Sequence, residues 1–368
     1  MAGAPQGSAP LPVGSRIGIV GGGQLGRMLA QAAADLGFSV LVVDPDPDCP
    51  AAAVCHRVVK GAYDDREALA LLARACDVVT FEFENVDAEA LRSVVGTPVR
   101  PDPSVLDRTQ DRAAEKRFLQ KTGCETARWQ TFDDAESFRL AVASVGNHAV
   151  MKTRRGGYDG HGQRVVRPGS TDSAGVLSGF EGTRMILEAF VPFEAEVSVI
   201  GVRGLDGATA TYDPAENIHE DGILRSSTVP TQLPRRIDDA ARERTTDIMV
   251  ALDHVGVIGV EFFVVGDQVI ANEFAPRVHN SGHWTRGACV TSQFENHIRA
   301  IAGWPLGSVE RIANARMVNV LGREIEDAHR LAGEDGAALT LYGKREARDR
   351  RKMGHVVQLS ARSVRKSD

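Results

Sequence analysis

At 368 residues, 43% hydrophobic and 25% charged, the chain has an ordinary globular composition and room for two or three domains. Its formal charge of −6 argues against nucleic acid as a partner, because such proteins favour a basic excess. No stretch approaches the roughly 18 apolar residues of a membrane span, and the opening MAGAPQGSAPLPVGS reads as a disordered tail rather than a signal peptide. Cys49, Cys55, Cys76, Cys124 and Cys289 are odd in number and form no CxxC pair, which fits reduced thiols in a cytoplasm without metal or catalytic duty.

RIGIV (16–20) reads as a strand that turns through GGGQLG (21–26) into a helix from Arg27, and the next strand, SVLVVD, ends at Asp44. Gly21, Gly23 and Gly26 stand in G-x-G-x-x-G register, which alone points to a dinucleotide with Asp44 on its ribose. Any tight strand-to-helix turn in a parallel sheet favours the same glycines. DVVTF (77–81) and a short strand at TPV (97–99) continue the sheet, and EFEN (82–85) falls at a strand's carboxyl end, where open α/β sheets bind ligands. PVRPDPS (98–104) closes this unit. A helix over 105–123 follows, with Gly123 as its stop. From about 125 to 275 strands and helices mix in an α+β pattern, including a helix at 235–253. After Pro305 comes a small strand-rich tail with basic residues gathered at 343–352.

RRGGYDGHGQ (154–163) follows the apolar run HAVMK and holds four glycines within 156–162. Glycine lets backbone N–H groups approach a ligand closely, and a run of them suits phosphate oxygens. A plain flexible hairpin loop would look similar. VGVIGVEFFVVGDQVIANEF (255–274) is more specific. A three-residue loop at Gly266, Asp267 and Gln268 would pair Val265 with Val269, Phe263 with Ala271 and Glu261 with Glu273. Like charges opposite each other destabilise a ladder, and a hard divalent cation removes the conflict. Glu261 or Glu273 could instead face solvent or pair with Arg277.

GGGQLGRM (21–28), GGYDGHGQ (156–163), NIHEDGIL (217–224), NEFAPRVHNSGHW (272–284) and YGKREARDRRKMGH (342–355) together resemble the ATP-grasp superfamily. Within it the chain is similar to the N5-carboxyaminoimidazole ribonucleotide synthetase family, from residue 16 to about 358. The resemblance implies an α/β and α+β ATP-grasp fold. Its parts would be a Rossmann-like domain at 16–110, an ATP-grasp domain at 111–305, and a small C-terminal domain at 306–368 with a disordered end. It also implies an ATP-dependent ligase of purine biosynthesis that uses Mg²⁺ and bicarbonate to carboxylate 5-aminoimidazole ribonucleotide through carboxyphosphate, as a cytoplasmic homodimer.

By matching position, the resemblance implies that Arg112 and Lys152 contact the nucleotide phosphates, with Lys152 also catalytic. The lid residues Gly157, Tyr158, Asp159, Gly160, His161, Gly162 and Gln163 would cover ATP, and Tyr158 and Asp159 would reach the aminoimidazole substrate. The backbone of Glu188, Ala189, Phe190 and Val191 would read adenine, with Glu196 on the ribose and His219 on the nucleotide. Glu261 and Glu273 would hold Mg²⁺ beside Asn272. Arg277 and His279 would act on bicarbonate and carboxyphosphate, in a pocket shaped by Asn280, Ser281 and His283. Gln24, Leu25 and Glu82 would line the ribonucleotide site, so that GGGQLG holds no dinucleotide, while Lys344, Arg351 and Lys352 take the substrate phosphate. Of 43 basic residues only seven are lysines, and three of those are Lys152, Lys344 and Lys352. The family commonly has a Pro-Gly pair where this chain has Asp349-Arg350, which predicts a less constrained turn. An NAD-dependent oxidoreductase, another ATP-grasp ligase (a formate-using purine enzyme or a biotin carboxylase) and a non-catalytic ATP-binding regulator stand as alternatives.

Overall fold

The computed structural model describes residues 9–157, 162–168 and 173–362. Strands β1 (Arg16–Val20), β2 (Ser39–Asp44), β3 (Arg57–Lys60) and β4 (Val78–Phe81) form a parallel sheet in the order β3-β2-β1-β4. Ile17, Ile19, Val20 and Phe81 are wholly buried, as expected for a parallel sheet covered on both faces. The connection reverses between β1 and β4, so the crevice at their carboxyl ends is the place for a ligand. Both GGGQLG and EFEN open there. The helix that follows starts at Gln24 rather than Arg27. The strand expected at 97–99 is reduced to one bridge, Val79 to Val99, because Pro98 has no N–H to extend a ladder.

The single helix expected at 105–123 is broken. A turn at Pro103–Val105 runs into Leu106–Thr109, and a new helix begins at Arg112 and ends at Lys121. The Asp111 carboxylate causes the break by accepting from the N–H groups of Ala113 and Ala114, at 3.0 and 3.3 Å. Arg112 and Lys116 therefore sit one turn apart at a helix N-terminus. Gly123 stops the helix as expected, with φ +82°.

After β5 (Glu125–Thr126), strands β6 (Trp129–Phe132), β7 (Ala149–Thr153), β8 (Gln163–Val166) and β9 (Met185–Ala189) make a second sheet in the order β6-β9-β7-β8. The remaining strands are β10 (Ala195–Arg203), β11 (Thr209–Thr211), β12 (Ala215–Glu220), β13 (Ile223–Val229), β14 (Gly256–Val265), β15 (Gln268–Ala275), β16 (Asn314–Leu321), β17 (Ala337–Leu341) and β18 (Lys352–Ser360). With β5 they build one 10-stranded sheet, β17-β18-β16-β13-β12-β10-β14-β15-β5, with β11 beside β10. The C-terminal strands thus extend the central sheet through β13 and β16. One hydrophobic cluster ties the first sheet to it, from Ile17 and Met28 to Trp284, Met317 and Val357.

The β14–β15 hairpin differs from expectation near its tip. Its loop has two residues, Gly266 and Asp267, with Gly266 at φ +56°, so Val265 faces Gln268 and Phe262 faces Ala271. A register shift after Glu261 then restores Glu261 opposite Glu273, leaving Asn272 as the extra residue of a bulge. The pairing of the two glutamates is as predicted; the path to it is not.

Candidate functional site

A cavity of about 770 Å³ opens where the first sheet, the second sheet and the hairpin meet. From the first unit it takes Gln24, Leu25, Glu82 and Glu84. Glu82 does not face it as a free carboxylate. It accepts from the N–H groups of Gly23 and of Gly26, the latter at 2.5 Å. The Gly22 N–H is held by Asp44 Oδ2 at 2.8 Å, and Tyr63 donates to the same oxygen at 3.0 Å. The amides that a dinucleotide pyrophosphate would require are bonded to the protein's own carboxylates. Burial holds the Glu82 carboxyl above its ordinary range even against those two amides.

Charge concentrates on the cavity's other wall. Arg112 lies 2.9 Å from Glu273 Oε2, and Lys152 lies 3.1 Å from Glu188 Oε2. Lys116, 2% exposed and absent from the sequence expectations, reaches the same Glu188 oxygen at 3.2 Å and donates to the Asn272 carbonyl at 2.7 Å. Burial opposes ionisation of Glu188, but Lys116 and Lys152 outweigh it and hold the carboxyl down to about 2. Glu261 is pushed well above the carboxylate range, by burial first and by Glu273 opposite it second. Burial also opposes the charge on Glu273, yet Arg112 and Lys152 keep it low. The site therefore holds a carboxylate pair in conflict, beside the buried Asn272 Oδ1, which has no hydrogen-bond partner among the described residues. That donor set fits a hard divalent cation. Among the described residues no larger His, Cys, Asp or Glu cluster gathers, so the metal reading rests on this pair.

At the far end, Arg277 Nε donates to Glu84 at 2.5 Å and its Nη1 to the Val278 carbonyl at 3.0 Å. Ser198 donates to Ser281 Oγ at 2.7 Å, and Ser281 Oγ in turn lies 2.8 Å from His279 Nδ1. The Ser281 backbone N–H also donates to His279 Nδ1, at 3.4 Å, which makes Nδ1 an acceptor and leaves the ring proton on Nε2, 3.6 Å from Glu261 Oε1. Burial, helped by the Arg277 and Lys352 charges, lowers the His279 pKa to about 3, so this ring is neutral. Both amide atoms of Asn280 are buried without a hydrogen-bond partner among the described residues. His219 bonds Glu196 through Nδ1. Burial disfavours its charge, but Glu196 and Glu261 outweigh that and hold its pKa above the ordinary value.

The cavity lining gathers Gln24, Leu25, Glu82, Arg112, Lys152, Gly157, Gln163, Glu196, His219, Glu261, Asn272, Glu273, Arg277, His279, Asn280 and Lys352 from the expected set. Ser281 and His283 stand behind His279, fully or almost fully buried. Ala189, Phe190 and Val191 lead out of β9 and are not in the lining, whereas Phe193 is, stacked at 4.7 Å on Phe263. Lys344 sits over the Tyr342 ring at 5.6 Å, and Arg351 donates to the Glu346 carbonyl at 3.2 Å; neither lines the cavity. Gly162 lies at φ +74° against Thr153. Tyr158, Asp159, Gly160 and His161 lie outside the described residues. In the turn before Lys352, Arg350 adopts φ +63° without being glycine, and donates to the Asp221 carbonyl at 2.6 Å. Sequence reasoning missed Lys116 and Phe193, and reached Glu84 only as part of EFEN (82–85). Lys116 carried one usable signal, being a rare lysine one helical turn after Arg112.

A cavity of paired cations and facing carboxylates between two sheets, edged by Gly156, Gly157 and Gln163, is the arrangement of an ATP-grasp ligase. The ATP-grasp domain model matches residues 117–294, the ribonucleotide synthetase preATP-grasp domain 15–110, and the phosphoribosylaminoimidazole carboxylase C-terminal domain 315–366. An N5-carboxyaminoimidazole ribonucleotide synthase of Brucella melitensis is 49% identical over 357 residues, covering 96% of this chain and 99% of that protein. The Bacillus subtilis enzyme of the same name is 42% identical, over 93% of this chain and 91% of its own. The crystal structure of the Aspergillus clavatus synthase with ADP and 5-aminoimidazole ribonucleotide aligns with TM-score 0.89 at 30% identity, covering 95% and 94%. The chain belongs to the N5-carboxyaminoimidazole ribonucleotide synthase family. Among the described residues no helix is long and apolar enough to cross a membrane.

Proposed function

We propose that the chain carboxylates the exocyclic amine of 5-aminoimidazole ribonucleotide with ATP and bicarbonate, giving the N5-carbamate, ADP and phosphate in purine biosynthesis. A bicarbonate oxygen attacks the γ-phosphorus to release ADP and form carboxyphosphate. The amine then takes the carboxyl carbon as phosphate leaves. Two consecutive displacements need nucleotide, bicarbonate and amine in one space closed to water. The observation that carries the reading is that one cavity joins the cation wall, the facing glutamates, the Arg277–His279–Asn280 cluster and the first unit's glycine turn.

Arg112 and Lys152 are the cations for the nucleotide phosphates, with Glu196 and His219 on the same side. Glu261 and Glu273 would hold Mg²⁺, which when bound neutralises phosphate charge and relieves their mutual repulsion. Arg277 offers a fixed positive charge where the carboxyphosphate develops negative charge. His279, neutral with its proton on Nε2, offers a hydrogen-bond donor without adding charge. Asn280 presents one donor and one acceptor with no protein partner among the described residues, a match for the O–H and C=O of bicarbonate. Gln24, Leu25 and Lys352 are the contacts for the ribonucleotide.

Phosphate release measured with ATP and bicarbonate, with and without 5-aminoimidazole ribonucleotide, tests the reaction. Release coupled to carbamate formation is the expected result. Turnover that needs formate in place of bicarbonate, or none with this amine, overturns it.

A further inference from the structure

Lys116 has no part in the roles above, yet it is among the least exposed charged side chains of the site. Its Nζ and that of Lys152 approach the same oxygen, Glu188 Oε2, at 3.2 and 3.1 Å. The other oxygen, Oε1, is buried with no hydrogen-bond partner among the described residues. Two ammonium groups on one carboxylate oxygen repel each other, so each weakens the other's hold on Glu188.

The two lysines are not equivalent. Lys152 lines the cavity and its side chain is 13% exposed, whereas Lys116 is 2% exposed and outside the lining. Lys116 is also anchored a second time, by the 2.7 Å bond to the Asn272 carbonyl in the β15 bulge. Lys152 has a way out toward a ligand, and Lys116 has none.

We infer that Lys116 is a positioning residue for nucleotide binding: the resident counter-ion of Glu188, which frees Lys152 to leave that carboxylate for the nucleotide phosphates. Without Lys116, Lys152 could reach a phosphate only by abandoning a buried, unpaired carboxylate, and such separations are strongly unfavourable. With Lys116 in place, Glu188 keeps a partner whether Lys152 stays or goes. The inference rests on the reading of Lys152 as a phosphate contact, and the experiment separates the two.

ADP affinity is measured by calorimetry for wild type, Lys152→Met, Lys116→Met and the charge-balanced double variant Lys116→Met/Glu188→Gln, with a thermal melt of each. Lys152→Met should weaken ADP at least tenfold; no change there would overturn the phosphate-contact reading and this inference with it. Lys116→Met should weaken ADP about 10- to 100-fold, the worth of one charge-assisted hydrogen bond. Its KM for the ribonucleotide should stay within threefold. The double variant, which removes the trap together with the counter-ion, should return ADP affinity to within threefold of wild type. A purely structural role for Lys116 predicts that both substrates suffer and that Glu188→Gln rescues nothing. Wild-type ADP affinity in Lys116→Met, or a double variant weakened tenfold or more, overturns the inference. If the single variant does not fold, the double variant's affinity decides by the same criterion.

Discussion

The turn at 21–26 and the loop at 156–163 both place glycines behind a strand, yet their surroundings differ. In the first, a Cβ on Gly21 or Gly23 would lie 2.5 Å from Glu82, and one on Gly26 would lie 2.5 Å from the Gly21 carbonyl. Its amides are bonded to Glu82 and Asp44. In the second, Gly156 is at φ +75° with nothing within 4 Å of a built Cβ, and Gly157 borders the cavity. One set of glycines exists so that carboxylates can pack against backbone. In the second loop Gly156 leaves backbone open beside the cavity, while Gly162 packs against Thr153, 2.7 Å from a built Cβ. A glycine pattern states that close approach or unusual φ is needed; the neighbours decide what approaches.

The strongest break of this contrast is made on the open side. Arg277→Ala removes a fixed cation from the developing acyl-phosphate charge and leaves Glu84 without its partner. The expected loss is about 10²–10³ in kcat, roughly 3–4 kcal/mol. Single-turnover phosphate release checks it, and a loss below about fivefold with unchanged ADP affinity would make Arg277 peripheral. On the closed side, Glu82→Ala orphans the Gly23 and Gly26 amides. Unfolding by urea should show about 2 kcal/mol of lost stability, the cost of two unsatisfied donors partly repaired by water. The vacated turn should gain affinity for inorganic phosphate, read as a melting temperature that rises with phosphate in the variant and not in wild type. Wild type should leave NADH fluorescence unchanged.

A buried histidine ties the first sheet to the central hairpin, which gives a third test. His297 Nε2 bonds Thr80 Oγ1 at 2.9 Å, on the strand leading to Glu82 and Glu84, while its Nδ1 accepts from the Val257 N–H at 3.1 Å, on the strand leading to Glu261. Burial, with His254 nearby, lowers the His297 pKa from 6.5 to about 3. His254 falls to about 4 and His355 to about 3, both mainly through burial. Each binds its proton more readily when unfolded. Stability is therefore full above pH 6.5 and falls as pH drops toward 3. Each such group contributes at most about 1.4 kcal/mol per pH unit to that slope. Urea titrations between pH 7 and 4.5 on wild type and His297→Gln check it: the variant should be less stable at pH 7 but show a shallower acid slope.

Much of this site was legible in the sequence because its signals were local. The facing glutamates followed from strand alternation, and the strand ends carrying Gly21 to Gly26 and Glu82 followed from apolar runs meeting glycine. What was not legible depended on contacts between distant segments. Nothing near Lys116 in sequence announces Glu188 or the Asn272 carbonyl. The break before Arg112 was missed because Asp111 lies inside a helical pattern and only its capping bonds reveal an N-terminus. The hairpin tip was misread by one residue, and a bulge that no propensity rule predicts cancelled the error at Glu261.

Arg350 gives the smallest and most local test, a left-handed turn where this chain does not use glycine. At φ +63° an arginine is strained by about 1–2 kcal/mol. Glycine would relieve that but lose about 0.5–1 kcal/mol more conformational entropy on folding. The exposed bond from Arg350 to the Asp221 carbonyl contributes a further few tenths that Arg350→Gly would forfeit. The balance favours the variant by about 0.5 kcal/mol, a rise of about 1 °C in Tm for a chain of this size. Because Lys352 is anchored in β18 rather than by the turn, the KM for the ribonucleotide should stay within twofold. Two outcomes separate the roles of this residue. A Tm that falls by several degrees would show that the Asp221 contact, not backbone strain, governs the turn. A KM that rises tenfold at unchanged Tm would move Arg350 itself into the substrate site, alongside the neighbours the sequence placed there.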